Sequence, residues 1–209
     1  RDGTGTMTAS RTAIVGVDVG GTFTDVFWLD EATGECRVAK VPSTPDDQSR
    51  GFIEGVVAGA GDSGIPALAN VVHGTTVGTN ALLERKGSKT GLITTAGFRD
   101  ILEMAAVTAA ARQLLDAGAE ALAIMFVNSY ANAANERAAL DAVRTIWPNG
   151  HITVSSDILP ELREFERAST TALNATLQPV IGRYLQNLET SLAAAGFDGD
   201  ILIVQSNGG

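Results

Sequence analysis

Apolar and polar positions along this chain follow two periods in succession. The runs AIVGVDV (Ala13–Val19) and TFTDVFWL (Thr22–Leu29) alternate with period two on either side of Gly20 and Gly21, and Cys36–Val41 continues the pattern. The intervening DEATGE, with Gly34 to relax the backbone, reads as a turn. Strands joined so closely must run antiparallel.

Beyond Ser43 the period lengthens. Thr44 is placed as an N-cap, with Pro45 at the first helical position and Asp46 and Asp47 in the first turn. Phe52, Ile53, Val56 and Val57 then form one apolar stripe. Next come a strand over Asn70–Gly74, a helix capped by Thr75 and Thr76 and closed by Gly87, and a strand over Lys89–Thr95. The remainder reads as a helix from Ala105 to Ala117, a strand Ala121–Val127, a helix Asn132–Trp147 stopped by Pro148, and a strand His151–Ser155. A long helical pattern spans Arg163–Ala195, with Phe165, Leu173, Leu177, Ile181, Leu185, Leu188 and Leu192 recurring at threes and fours. Pro179 is expected to kink or split it. DILIVQSNGG closes the chain as a strand and turn.

Three strands followed by strand–helix alternation imply an α/β fold with a mixed sheet, its first three strands antiparallel and its later ones parallel through crossover helices. Composition turns alanine-rich near Met104–Ala105. The expected organisation is a disordered leader over 1–12, a lobe over 13–104 and a second α/β segment over 105–209.

Charge and cysteine content narrow the partners. The 209 residues include 15 basic and 24 acidic ones, for a net charge of −9, with no Lys/Arg run to neutralise a nucleic-acid backbone. Nucleic-acid binding is not expected. The longest apolar run, near Ala121–Val127, is too short to span a bilayer, and the leader has no apolar core, so neither a membrane segment nor a secretory signal is expected. Cys36 is alone, which fits a reducing, cytoplasmic setting. His73 and His151 are the only histidines, and no Cys/His cluster has zinc spacing.

Two stretches carry more than turn chemistry. In DVGGTFTD (Asp18–Asp25), Gly20 and Gly21 let backbone amides approach an anion, and Thr22 and Thr24 add hydroxyls. Asp18 stands at a strand end, where a carboxylate can order Mg²⁺ beside phosphate. A plain glycine hairpin is the alternative. In HGTTVGTNALLERKG (His73–Gly87), a strand delivers His73 to a turn that opens a helix. His73 could shuttle a proton, and Asn80 could both donate and accept, while Thr75 and Thr76 head the helix. Here the alternative is a core histidine beside two capping threonines. GAGDSG (Gly59–Gly64) fits G-x-G-x-x-G but ends a helix, so it is no dinucleotide site, and LLERKGSK lacks P-loop spacing.

The first motif resembles the leading phosphate loop of the actin/hexokinase/Hsp70 superfamily, whose nucleotide lies between two RNase H-like lobes. The second, together with KVPSTPDD, GLITTAGFRDILEM, NSYANAANE, SSDILPELREFERASTTALNA and QSNGG, is similar to the N-terminal region of the hydantoinase A/5-oxoprolinase family and of the related acetone and acetophenone carboxylase subunits. The resemblance covers nearly everything after Met7.

It implies an RNase H-like, actin-like ATPase lobe and ATP with Mg²⁺ as cofactors. It also implies phosphorylation of a ring amide oxygen in a small cyclic amide such as a hydantoin or 5-oxoproline. Asp18 would order Mg²⁺; Gly20, Gly21, Thr22 and Thr24 would grip phosphate; Asp25, in the same cofactor site, would anchor the hairpin or a metal-bound water; His73, Thr75, Thr76 and Asn80 would attend the activated carbonyl. A B-type subunit or a homo-oligomer is the implied partner. A carboxylase subunit and a non-catalytic assembly module are the alternatives.

Family members carry an insertion after the ILEM-like block and a second lobe after QSNGG, so nucleotide binding by this chain alone is expected to be poor. Glu164, Glu166 and Arg167, in the EFER stretch, read as an exposed, salt-bridged helix face.

Overall fold

The computed structural model describes residues 11–44, 47–95 and 104–204. The chain divides into two compact units, Arg1–Thr79 with Arg183–Gly209, and Asn80–Gly182. The alanine-rich composition shift near Met104–Ala105 therefore falls inside the second unit.

In the first unit, β1 (Ala13–Val19), β2 (Phe23–Asp30) and β3 (Cys36–Pro42) form an antiparallel meander. β4 (Leu68–Thr75) then pairs parallel to β1, and β8 (Asp200–Val204) parallel to β4. The sheet order is β3-β2-β1-β4-β8, the mixed sheet expected from the sequence. Alternation decides which side is buried. Val15, Val17 and Val19 of β1, Val26 and Trp28 of β2, and Leu68 and Val71 of β4 share one face. They pack under α1 (Gln48–Ala60), through Phe52 and Val56, and under the end of α6 (Glu164–Ala194), through Tyr184, Leu188 and Leu192. Burying a Phe or Leu in this way stabilises by about 1.5–3 kcal/mol each.

The start of α1 differs from expectation. Asp47 is the cap, accepting from the Ser49 amide at 3.0 Å, and the helix begins at Gln48. The Thr44 hydroxyl instead accepts from the Gly51 amide at 2.8 Å. Pro45 and Asp46 lie outside the described residues, as do the GFRDILE and QSNGG stretches.

In the second unit, β5 (Thr90–Thr94), β6 (Ala121–Met125) and β7 (Ile152–Val154) form a parallel sheet in the order β5-β6-β7. Alternating strand and helix made parallel pairing legible, but not its separation from the first sheet. α3 (Met104–Asp116) and α4 (Ala134–Arg144) supply Val107, Ala111, Ala139 and Val143 to a core with Ile93, Leu122, Ile124 and Trp147. A four-residue helix, α5 (Ser155–Ile158), follows β7.

Four expectations need correcting here. α2 (Val77–Leu83) ends before Gly87, because Arg85 turns the chain with φ of 55°. α6 runs on across Pro179 instead of splitting there, and its Phe165 is exposed, not part of a buried stripe. Arg167 is fully buried, whereas Glu164 and Glu166 are exposed as read.

Arg167 donates to the Phe126 carbonyl at 2.7 Å and the Glu161 carbonyl at 3.2 Å. Glu136, also fully buried, accepts from the Phe126 amide (2.8 Å), the Ser155 hydroxyl (2.6 Å) and the Ser156 amide (2.9 Å). Phe126 is thus gripped on its N–H side by an acid and on its C=O side by a guanidinium. Burial opposes ionisation of Glu136, but these hydrogen bonds outweigh it and hold the carboxyl below its usual range. No helix among the described residues is long and apolar enough to cross a membrane.

Candidate functional site

Parallel pairing of β1 with β4 brings the two motifs together. Asp18 is the register partner of Gly74, and Val19 of Thr75, so both chains leave the sheet at the same, C-terminal edge. In α/β sheets ligands bind where parallel strands end in this way. The β1–β2 turn, Gly20–Thr22, lies at that edge too.

Turn geometry divides the work of the two glycines. The Gly20 amide donates to the Phe23 carbonyl at 3.1 Å and closes the turn. A β-carbon on Gly20 would sit 2.9 Å from that carbonyl oxygen, so a side chain is excluded. A β-carbon on Gly21 would meet nothing within 4 Å. Gly21 and Thr22 are exposed at the tip. The Ser43 amide donates to the Thr22 carbonyl at 2.9 Å and fixes the turn to the end of β3.

Thr24 points the other way. It is fully buried, with its hydroxyl 3.1 Å from that of Ser43. Asp25 lies on the opposite face of β2 and pairs with Lys40 at 2.9 Å. Its register partner across β1 is Asp18, so two carboxylates stand opposite each other, and Lys40 pairs with Asp25. Like charges placed so are mutually destabilising, and a cation beside Asp18 relieves it. Among the described residues no group of three or more His, Cys, Asp and Glu could hold a metal by itself.

His73 faces the covered side. It is fully buried, edge-on to Phe52 at a centroid separation of 4.6 Å. Nδ1 lies 3.1 Å from the Val17 carbonyl, which can only accept, so Nδ1 carries the hydrogen. Nε2 then accepts from the Tyr184 hydroxyl at 2.7 Å. Tyr184 in turn bonds the Thr75 side chain, whose oxygen also accepts from the Val77 amide at 3.2 Å. Burial lowers the His73 pKa below the usual histidine value, against the opposing pull of the Val17 carbonyl and Asp18. Burial pushes the Tyr184 hydroxyl up to about 12.

Of the residues singled out from the sequence, Asp18, Gly20, Gly21, Thr22, Thr24, Asp25, His73, Thr75 and Thr76 all belong to the first unit, and Asn80 is the first residue of the second. Thr76 is exposed and immediately precedes α2. Sequence reading passed over Tyr184 and Ser43. Tyr184 had one signal: a phenol in line with the leucines of an apolar helical stripe needs a buried partner.

Comparison with known proteins agrees with these motifs. The hydantoinase/oxoprolinase N-terminal region matches residues 14–106, and the hydantoinase/oxoprolinase region matches residues 167–209. The chain belongs to the hydantoinase/oxoprolinase family.

Caprolactamase subunit alpha of Pseudomonas jessenii is 31% identical over 247 residues, covering 93% of this chain and 35% of that protein. The matched span exceeds the 209 residues of this chain, so that relative carries extra residues within it. Acetophenone carboxylase gamma subunit of Aromatoleum aromaticum is 28% identical, again over 93% of this chain and 35% of the relative. The crystal structure of the ATP-dependent caprolactamase from Pseudomonas jessenii superposes with a TM-score of 0.79 at 28% identity, over 94% of this chain and 36% of that one. The chain thus spans about a third of the length of the relatives it matches.

Proposed function

We propose that this chain is the N-terminal portion of an ATP-dependent cyclic-amide hydrolase of the hydantoinase/5-oxoprolinase type, and that its share of the work is to seat phosphate and Mg²⁺. The observation that carries the reading is the register pairing of Asp18 with Gly74, which sets an exposed carboxylate beside an open turn at the strand ends.

The residues present fit such a ligand. Gly21 leaves room at the turn tip, and Gly74 presents no side chain to crowd Asp18. In this reading the exposed amides of Gly21 and Thr22 receive phosphate oxygens, while Gly20 and Thr24 hold the shape of the turn. Asp18 would hold Mg²⁺ through the hard oxygens of its carboxylate, and the ion would offset phosphate charge. Asp25, already paired with Lys40, anchors the hairpin.

His73 acts beneath the site. Both of its nitrogens are engaged, so it ties β1 just below Asp18 to Tyr184 and, through it, to Thr75. Thr75, Thr76 and Asn80 remain the residues proposed to attend the activated carbonyl.

ATP, when bound, would supply a phosphoryl group to the oxygen of a poorly electrophilic amide carbonyl and so convert that oxygen into a leaving group. The chain's part is positioning and charge stabilisation. Work with a second subunit fits the naming of the relatives as subunits alpha and gamma, and a cytoplasmic setting belongs to the same proposal.

The test is product analysis on the longer polypeptide that carries this region. Ring opening of a hydantoin, 5-oxoproline or lactam coupled to stoichiometric ADP release supports the proposal. Formation of a carboxylated ketone supports the carboxylase alternative instead. ADP release that ignores both substrate classes overturns the reading.

A further inference from the structure

Three side chains between β1 and the head of α2 form one hydrogen-bond chain, and a backbone group fixes its direction at each end. At one end the Val17 carbonyl accepts and cannot donate, so Nδ1 of His73, 3.1 Å away, carries its hydrogen. Nε2 of the neutral imidazole is then an acceptor, and the Tyr184 hydroxyl donates to it at 2.7 Å. At the other end the Val77 amide donates and cannot accept, and it gives its hydrogen to the Thr75 hydroxyl oxygen at 3.2 Å.

The bond between Thr75 and Tyr184 closes the chain between these ends. The Tyr184 hydrogen already goes to His73, so its oxygen meets Thr75 as an acceptor, and Thr75 supplies the hydrogen of that bond. Every hydrogen therefore points inward, from Val77 through Thr75 and Tyr184 to His73 and Val17. A hydroxyl has one hydrogen and two lone pairs. In Thr75 the hydrogen is engaged, one lone pair receives Val77, and one lone pair is left. His73 and Tyr184 are buried, whereas Thr75 is half-buried and stands at the end of β4, so the unused acceptor belongs to the strand edge that carries Asp18. Turning the Thr75 hydrogen outward would break its bond to Tyr184 inside a buried network, where an unmade hydrogen bond is costly.

We propose that Thr75 reads the nitrogen of its ligand and not the oxygen: the unused lone pair of Oγ1 accepts the ring N–H of a cyclic amide, and Tyr184 is the positioning residue that keeps Thr75 in this accepting state. A carbonyl oxygen or an oxyanion needs a donor, and the Thr75 hydroxyl has no hydrogen to offer it. The inference rests on the assignment of this edge to a cyclic amide, and it adds the requirement for an unsubstituted ring N–H. A lactone has a ring oxygen where the amide has N–H. It would set a lone pair against a lone pair, so it is rejected.

Two measurements test this. Heteronuclear NMR of the His73 ring at neutral pH should show Nδ1 protonated and Nε2 bare, and any other pattern removes the fixed direction and overturns the proposal. In the longer polypeptide that carries this region, calorimetric titration compares 5-oxoproline and a simple lactam with the lactone of the same ring, in the presence of a non-hydrolysable ATP analogue. The amide should bind at least about tenfold more tightly than its lactone. Thr75→Val should remove most of that preference, and Thr75→Ser should keep it. Tyr184→Phe, at a residue that touches no ligand, should also shrink the preference by freeing the Thr75 hydrogen to donate to the lactone. A residue that merely supported the fold would weaken both ligands alike. Equal binding of amide and lactone in the parent, or a preference that survives in Thr75→Val or Tyr184→Phe, overturns the inference and leaves the cyclic-amide reading standing. Failure to bind either amide overturns that reading and this inference together.

Discussion

Asp18 and Gly74 are register partners on adjacent parallel strands, and a β-carbon on Gly74 would lie 3.5 Å from Asp18 Oδ1. The two residues stand 56 positions apart in the sequence, and one ladder joins them. Gly74→Ala places a methyl at ordinary contact distance and should be tolerated in folding. Gly74→Val pushes against the carboxylate, so it should weaken Mg²⁺-dependent nucleotide binding at least about tenfold while changing stability little. Paired titrations and denaturant curves on the two variants check this.

The two turn glycines should respond differently to substitution. Gly20→Ala forces a β-carbon against the Phe23 carbonyl and should destabilise by about 1–3 kcal/mol, as overpacking does. Gly21→Ala meets open space and should stay within about 0.5 kcal/mol of the parent. Equal losses by urea denaturation would show that the turn is built differently.

A pH dependence follows from His73. Its folded pKa is lowered, so in the window below about 6.5 the unfolded chain binds the proton that the folded one refuses. Stability therefore falls as pH drops from about 6.5 towards the folded value, and is fully present above that window. Tyr184→Phe leaves Nε2 without its donor and should cost about 1–2 kcal/mol at neutral pH. Denaturant midpoints at pH 7.5 and pH 5.5 should differ for the parent and differ less for His73→Gln.

Glu136 governs a separate, more acidic window. Its folded pKa is depressed, so its contribution is present above the unfolded value of about 4.3 and disappears as pH falls through the folded one. Glu136→Gln turns one acceptor oxygen into a donor facing Phe126, Ser155 and Ser156, which should cost about 1–3 kcal/mol near neutrality. That variant should also lose the acid-sensitive step, read as a flatter unfolding profile between pH 5 and about pH 3.

How much was legible follows from the range of each interaction. Alternating valines and the hairpin spacing are local, so β1, β2 and β3 could be read nearly to the residue. The glycine turn at Gly20–Thr22 is local as well. The partners of His73 are not: Val17 and Tyr184 lie 56 and 111 residues away, and nothing in HGTT announces them. Arg167 failed for a related reason. On a helical wheel EFER is a polar stretch, and burying the Arg167 guanidinium is made tolerable by carbonyls outside it, those of Glu161 and of Phe126, the latter 41 residues earlier. Pro179 does not split α6, because a proline removes one hydrogen bond without having to end a helix of 31 residues.

Spanning about a third of its relatives' length, the chain is expected under the proposed function to bind nucleotide weakly and turn it over hardly at all. The 209-residue chain alone is expected to show no ATP hydrolysis above background. Steady Mg²⁺-dependent turnover that vanishes in Asp18→Ala would contradict that expectation.

The measurement closest to the central claim is an amide-resolved NMR titration of the chain with Mg²⁺ and a non-hydrolysable ATP analogue, which detects millimolar binding. The largest shifts should fall on Gly21, Thr22, Gly74 and Thr75, require Mg²⁺, and disappear in Asp18→Asn. Shifts centred elsewhere, or unchanged in Asp18→Asn, would contradict the assignment of this edge as the phosphate and metal site.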